Sequence, residues 1–351
     1  MPGVTGADVK AAYAVSNTWG TPASVTAQVL LRSTDGMDGM PALVDDDAFT
    51  QSFIGEGEAG DFPALTPELG MQLRYEGAAP KFIAYAMGSA AAPSSVSAGA
   101  NSIPAYSHLL TMAASLTKFV TLAIDESQYV LEIPTLKIRG FSLKVGENGR
   151  MMISFPTVGA KPNYASAVNT NSTVGGAAAP SLLNRAYRRQ GVFRMNLQSA
   201  GSLTASDANA FVTDLTVGIQ TPLTTDDYVF GQDFIIEPDF NGFAEFPLDI
   251  TFARMNTSTA NSLVVAAQTA KVFKADLTFT GAYINSTTPR TITFEWPALQ
   301  VVDFKAPLTG HDVVRPVLSF RAKQASAAPT GMAFTTPRVT VVNCNSANLM
   351  A

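Results

Sequence analysis

The sequence has little of the chemistry on which most enzymes depend. It contains one cysteine, Cys344, and two histidines, His108 and His311. A single cysteine excludes an intrachain disulfide. Two histidines without convergent partners supply neither a zinc site nor a Ser-His-Asp triad. We therefore predict a protein that is not an enzyme and that binds no cofactor.

Charge is scarce as well. Charged residues make up 15% of the chain and the net charge is −5, whereas about a quarter of an ordinary soluble domain is charged. A surface of Ser, Thr, Asn, Gln, Ala and Gly is easily desolvated, which favours self-assembly. The densest cationic run, "RAYRR" at 185–189, is too short for tight nucleic-acid binding, and an acidic protein suits a surface that a polyanion passes without sticking.

Long hydrophobic runs and metal-binding patterns are rare in the same way. The most apolar run covers residues 82–92, which is too short to cross a bilayer, and the first ten residues lack the features of a secretory signal. Three adjacent acids at 45–47 cannot all reach one ion. Residues 55–60 ("GEGEAG") hold two acids and no lysine, so they are not a phosphate loop. We predict no metal, no membrane partner and synthesis in the cytoplasm.

The dominant pattern is the alternation of apolar and polar residues that is typical of strands. Pro80 and Gly88 bound a short predicted helix, and Gly146 and Gly149 predict a hairpin turn. A second helix is predicted over 262–273. The chain is therefore expected to be mainly β. Strands are predicted at 25–31 and 69–77, four times within 118–159, and at 192–198, 211–220, 228–237 and 243–255.

One long stretch, residues 34–68, lacks a clean period and is rich in glycine and acids. Apolar residues are scattered through it, which is not typical of a disordered segment. We expect this loop to order against another surface. Its acids contribute charge to an interface, or they are simply solvated. The candidate contact residues are Met37, Met40, Asp45, Asp46, Asp47, Phe49, Phe53, Glu56, Glu58, Asp61 and Phe62.

Two segments repeat one pattern at a constant offset. "EIPTLKIRGF" covers residues 132–141 and "EWPALQVVDF" covers residues 295–304, 163 positions later. A predicted strand with the dipeptide Ser-Phe follows each segment, and a helix and a strand precede it. We predict an internal duplication; two unrelated β-rich domains are the alternative. The repeated core residues are Pro134, Leu136, Phe141, Pro297, Leu299 and Phe304.

The duplication suggests a division into domains. We predict a first domain at 1–162, a linker at 163–184 without anchoring residues, a second domain at 185–325 and a C-terminal tail at 326–351.

Three short motifs lie in the first half. They are Trp-Gly-Thr at 19–21, Tyr-x-Gly at 75–77 before the helix that ends at Gly88, and His-x-Leu-x-x-Ala at 108–113. With these motifs, residues 13–160 resemble the tail tube (major tail) proteins of long-tailed bacteriophages. The motifs are short and degenerate, and the second half is assigned through the internal repeat.

The resemblance implies two tandem β-sandwich tube domains, each with a short flanking helix, which close into a β-barrel ring on oligomerisation. Stacked rings would form the virion tail tube, assembled in the host cytoplasm, and genomic DNA would pass through the lumen without specific binding. The loop at 34–68 would order on the next ring, and its acids would contribute charge to the interface between rings or to the lumen, unless they are solvated. The duplication favours homotrimeric rings with pseudo-six-fold symmetry; a homohexamer is the alternative. The implied partners are the tape measure, tail terminator and baseplate proteins.

Other functions remain open at this point. A capsid decoration or baseplate component would share the composition but form no tube. A carbohydrate-binding β-sandwich would need exposed aromatic platforms, but the sequence has two tryptophans, Trp19 and Trp296, and Trp296 lies in the repeated strand.

Overall fold

The computed structural model describes residues 9–32, 37, 40, 43–45, 57–97, 103–180, 183–208, 212–253, 265, 269, 271–306 and 314–351. Strands account for 47% of the structure and helices for 9%, so the predicted mainly β class is confirmed. Most of the predicted helix at 262–273 lies outside the described residues, and Phe273 at its predicted end begins a strand.

The strands are β1 (Lys10–Ser16), β2 (Ala27–Val29), β3 (Leu43–Asp45), β4 (Gly57–Ala59), β5 (Glu68–Gln72), β6 (Gly88–Ala90), β7 (Ser94–Ser97), β8 (Ala105–Met112), β9 (Phe119–Asp125), β10 (Val130–Ile138), β11 (Gly140–Val145), β12 (Met151–Gly159), β13 (Gly191–Leu197), β14 (Val212–Gln220), β15 (Pro247–Phe252), β16 (Phe273–Tyr283), β17 (Pro289–Lys305), β18 (Val317–Ala322) and β19 (Arg338–Asn343). The α-helices are α1 (Ala78–Met87) and α2 (Asn171–Gly176), and short 3-10 turns cover Glu147–Gly149, Arg188–Gln190 and Ala205–Asp207.

Antiparallel pairing joins most of these strands into one large sheet that does not close within the described chain. Its central part has the order β5-β12-β11-β14-β15-β18-β17. At β12 the sheet branches through β10 to β9, β1 and β2. At β17 it branches to β16 and β13, and to β19 and β8. β6 and β7 extend β8, and β3 and β4 form a separate pair.

The strands of the two halves of the chain therefore pair with each other. Phe141 of β11 lies opposite Ile219 of β14, and Leu110 of β8 lies opposite Val339 of β19. The core is also shared, because the rings of Phe141 and Phe294 are 5.8 Å apart. The predicted domain boundaries stay a prediction, but any two domains here would share both a sheet and a core.

The helix α1 lies in the core, as the sequence pattern predicts. Phe82 packs edge-on against Tyr13 at 5.1 Å and against Phe155 at 5.5 Å, so the helix fills the space between β1 and β12. Gly88 ends the helix with φ 81°. A Cβ at Gly88 would lie 2.9 Å from the Cβ of Ala113, so both backbone conformation and space favour glycine there.

The two repeated segments occupy equivalent hairpins. In the first copy β10 and β11 run along β12, and in the second copy β17 runs along β18. The register has the same offset of 163 on both arms. The pairs Leu136–Gly159 and Ser142–Ser154 correspond to Leu299–Ala322 and Lys305–Val317. The two Ser-Phe dipeptides lie in the closing strands, but their positions differ by two residues relative to this register.

Both copies also carry a bulge at the same place. The register of β10 with β9 shifts between Ile133 and Leu136, and that of β17 with β16 shifts between Trp296 and Leu299. Each bulge contains the proline of its segment, Pro134 or Pro297. A proline has no N–H to donate to a ladder, so a bulge is a favourable place for it.

The prediction of a strand at 228–237 is wrong. This segment is irregular. Its backbone binds other partners: the carbonyl of Ile235 accepts from Trp19 Nε1 at 3.0 Å, and that of Asp233 accepts from the Phe62 N–H at 2.8 Å. Side-chain and loop partners therefore replace the strand ladder that the alternating pattern predicted.

The segment predicted to be an unanchored linker is held firmly. It contains α2, and both Asn169 and Val174 are fully buried. Asn169 accepts a hydrogen bond from the Val25 N–H at 2.9 Å and donates to the Ala23 carbonyl at 3.0 Å. The low-complexity composition therefore gave no indication that the buried amide of Asn169 anchors this segment.

Candidate assembly surface

The central part of the sheet presents one polar face. Along β15, Leu248, Ile250 and Phe252 are buried, whereas Asp249 and Thr251 between them are partly exposed. The same alternation holds along the neighbouring strands. Many outward-facing positions are small or polar, including Gly70, Ser142, Ser154, Thr216 and Ser319.

This polar face is indented. One depression of about 690 Å³ is lined by residues that include Ser142, Ser154 and Gln220. A second, of about 470 Å³, is lined by Gly70, Lys144 and other residues. The short side chains of the face leave this space open, so a large smooth partner could pass close to the sheet.

Two of the cations on the polar face form ion pairs with neighbouring acids. Arg321 lies 3.2 Å from Glu245, and Lys305 lies 3.0 Å from Asp303. The hydrogen bond from Lys305 is the main cause that lowers the pKa of Asp303 below its usual value. These pairs reduce the charge that Arg321 and Lys305 offer to a polyanion, whereas Arg139 and Lys144, which line the depressions, form no ion pair among the described residues.

The central part of the sheet ends in an open edge at β17. Residues 301–305 pair with β18 on one side, and no strand of the described chain pairs with them on the other. The Phe304 N–H donates a hydrogen bond to Oδ1 of its own neighbour, Asp303, at 2.8 Å. An unpaired strand edge is a template for pairing with another chain.

The repeat shows what this edge corresponds to. Phe304 is the equivalent of Phe141, and β14 occupies the edge of β11 at Phe141. The opposite end of the central part is β5, where the Arg32 N–H donates to the Gly70 carbonyl at 2.9 Å. In the repeat, β5 lies beside β12 as β15 lies beside β18. The segment at Arg32 therefore lies beside β5 where β14 lies beside β15.

The predicted loop residues lie in different surroundings. Met37 is fully buried in the protein's own core, and Met40 is 75% exposed. Asp61 is exposed and Phe62 is partly buried, with the Lys161 ammonium 5.1 Å from the Phe62 ring. Asp45 and Glu58 belong to β3 and β4, which pair within the stretch expected to be irregular. The remaining residues, Asp46, Asp47, Phe49, Phe53 and Glu56, lie outside the described residues.

The repeated core residues are buried to different degrees. Leu136, Phe141 and Leu299 are almost fully buried. Phe304 is partly buried against the same core. These residues hold the two hairpins in the sheet, and Phe304 also lies at the open edge.

Sequence reasoning missed the role of the glutamate that begins each repeat. Glu132 is fully buried and accepts hydrogen bonds from Ser166 and Asn169, both at 2.6 Å. Glu295 accepts from Arg338 Nε at 2.6 Å. In both copies, the glutamate lies opposite a segment that follows its hairpin in the chain and binds it: Glu132 pairs with Asn163 and Glu295 with Arg338. The identity of the two glutamates within the repeat was the available signal.

His108 has a structural position. Its ring is fully buried, and Nε2 lies 3.1 Å from Asn343 Oδ1 and 3.0 Å from the Asn345 carbonyl, so Nε2 carries the proton. Burial lowers the pKa of His108 from its ordinary value of 6.5, against the opposing effect of these hydrogen bonds. The ring links β8 to the segment after β19. His311 lies outside the described residues.

Within the part of the chain that the structure covers, no group of three or more His, Cys, Asp or Glu side chains is arranged to hold a metal ion. None of its described helices has the length and hydrophobicity needed to span a membrane.

Comparison with known proteins leaves the chain without an assigned family, because no family model matches it and no curated protein matches its sequence.

Proposed function

We propose that the chain is a structural subunit that polymerises into stacked rings, forming a hollow tube of the kind found in the tails of long-tailed bacteriophages. The tube would conduct genomic DNA. The observation that carries this proposal is the relation between Phe141 and Phe304. These two residues occupy equivalent positions of the duplicated hairpin. The strand at Phe141 is paired with β14 of the same chain, whereas the equivalent edge at Phe304 is open.

The internal contact serves as the pattern for a contact between chains. Inside one chain, β14 of the second half pairs with β11 of the first half. Another copy would present its own equivalent of β14, the segment at Arg32, to the open edge of β17. Each contact would repeat the previous one, and such a heterologous contact closes into a ring when the rotation permits. Two tandem β-sandwich units per chain favour three chains per ring; six is the alternative.

The polar face of the central sheet then lines the lumen. Its small side chains, paired charges and shallow depressions suit the passage of a polyanion that must not adhere. The acidic loop at 34–68 would contact the next ring. By the resemblance, the ends of the tube would meet tape measure, terminator and baseplate proteins, and the mature location is the virion tail. Neither catalysis nor a cofactor belongs to this function.

A capsid decoration or baseplate component is the second candidate. Such a protein would use the same β architecture without stacked rings, so the form of the assembly separates the two.

The test compares two variants of Phe304 by negative-stain electron microscopy of the concentrated protein. Phe304→Val and Phe304→Pro both remove the aromatic ring, but only proline removes the N–H at the open edge. We expect hollow rings or tubes from the wild type and from Phe304→Val, and folded single particles from Phe304→Pro. Circular dichroism and thermal unfolding check that both variants are folded.

Particles that never form rings in the wild type, at any concentration or with tail components present, would contradict the tube function. Rings that form equally well from Phe304→Pro would leave the tube function in place but exclude this edge as the contact.

A further inference from the structure

The loop between β14 and β15 displays a fully exposed phenylalanine at the tip of a tight turn. The Gln232 N–H donates to the Val229 carbonyl at 3.2 Å, and Gly231 has φ 86°. Phe230 occupies the second position of this turn and has a relative exposure of 111%. A side chain of this size in water forgoes a large hydrophobic gain, so its position calls for an explanation.

The turn is held rigidly. Asp233 forms an ion pair with Lys161 at 2.6 Å, and its carbonyl accepts from the Phe62 N–H. Two residues further, Ile235 is buried and its carbonyl binds Trp19. Phe230 is therefore presented on a fixed support, and a preorganised contact loses little conformational entropy on binding.

A small apolar cleft lies at the other end of the same sheet. It has a volume of about 100 Å³ and is lined mainly by apolar side chains, among them Val145, Met151, Phe193, Leu277 and Phe279. This is of the order of the ~150 Å³ apolar cavity that accepts benzene. Met151 begins β12, and Lys161, which holds the Phe230 turn, lies just after the end of β12 at Gly159. Nine residues of strand, roughly 30 Å, separate the two features.

The charges beside the two features are opposite. Asp226 and Asp227 are exposed next to the Phe230 turn, and neither forms an ion pair among the described residues. Arg188 and Arg189 are exposed at the cleft, and Arg188 lines it. Asp214 also lines the cleft, but the pair of arginines gives this end its cationic character. Complementary charges of this kind guide association and fix its orientation.

We propose that Phe230 of one copy inserts into this cleft of a second copy, with Asp226 and Asp227 facing Arg188 and Arg189. The contact joins opposite ends of the molecule, so it is heterologous and generates open stacks along the strand direction. The open edge at Phe304, by contrast, would join copies side by side, perpendicular to the strand direction. The inference rests on the proposed tube function and assigns the axial contact between its rings.

The first test uses Phe230→Ala and its control Phe243→Ala. Phe243 lies in the same loop and is 96% exposed, but it is outside the turn. We expect Phe230→Ala to raise the concentration needed for stacking roughly 10- to 100-fold, leaving single rings. Phe243→Ala stacks as the wild type does. Tubes of normal length from Phe230→Ala would overturn the inference and leave the tube function intact.

The second test detects the contact directly, whether or not tubes form. In a Cys344→Ser background, which removes the single native cysteine, Val229→Cys protein, which keeps the Phe230 ring and carries its cysteine at an exposed position of the same turn, is mixed with Val212→Cys protein and treated with a short bismaleimide. Val212 lies at the cleft. We expect a covalent dimer of the two chains, and little from Phe243→Cys with Val212→Cys. Equal cross-linking from both mixtures, or none from the first, would overturn the inference.

Discussion

Pro134 and Pro297 occupy the same bulge in two strands that share one register, 163 positions apart. Both prolines are buried. Because each lies where the ladder with the preceding strand shifts, neither is required to donate a hydrogen bond. We expect Pro134→Ala and Pro297→Ala to lower the free energy of unfolding by similar amounts, roughly 0.5–1 kcal/mol each, through greater freedom of the unfolded chain. Urea unfolding measures both, and values that differ by more than about 1 kcal/mol would argue against true repeats.

Gly140 controls the contact between the two halves. A Cβ at this position would lie 2.0 Å from the Ile219 carbonyl oxygen, so β11 and β14 could not keep their spacing. We expect Gly140→Ala to destabilise the protein by about 2–3 kcal/mol. Gly70→Ala is the matched control, since no atom lies within 4 Å of its added methyl group, and it should change stability by less than about 1 kcal/mol. Equal effects would show that the β11–β14 spacing contributes little.

We expect substitution of the buried Glu132 to lower stability more than substitution of an exposed glutamate. In Glu132→Gln, an amide group would face the donors of Ser166 and Asn169, both 2.6 Å from the carboxylate oxygen. We expect a loss of about 1–3 kcal/mol and faster proteolysis within 163–176. Glu68→Gln, at an exposed position, is the control and should be close to neutral. Unchanged proteolysis would mean that Glu132 does not hold this segment.

His108 should make stability depend on pH. Its Nδ1 is buried without a partner, so protonation would place an unsatisfied N–H in the core. The folded pKa is depressed from 6.5, and the unfolded chain therefore takes up a proton first. Stability is complete above about pH 6.5 and falls as the pH drops below it, by at most about 1.4 kcal/mol per pH unit.

The measurement is the urea midpoint of wild type and His108→Gln at pH 7.5 and 5.5. Carboxylates contribute a slope to both proteins, so the difference between the two slopes reports His108. Identical slopes would rule out a contribution from this histidine.

Much of the local structure could be predicted from the sequence. Pro80 and Gly88 bound α1 to within a few residues, and the glycines around Glu147 mark the β11–β12 turn. These features depend on short-range chemistry. The duplicated hairpin could be predicted because its pattern is repeated in order and spacing.

The remainder depends on contacts that no local pattern encodes. The pairing of Phe141 with Ile219 joins residues far apart in the chain. The segment at 228–237 alternates as a strand does, but Trp19 and Phe62 supply its hydrogen bonds. The sequence predicts that Met37 contacts another surface, yet Met37 is buried in the core of its own chain.

The position of β19 sets the order in which the protein can be completed. This strand lies between β8 and β17. Leu110 of β8 therefore has no cross-strand partner on this side until Val339 of β19 has been synthesised. During synthesis the edge of β8 that faces β19 stays unpaired until β19 has left the ribosome. Long-range pairing of this kind slows folding and exposes sheet edges on the way. A nascent chain therefore completes this sheet only after β19 has been synthesised, and the proposed assembly would have to follow that step.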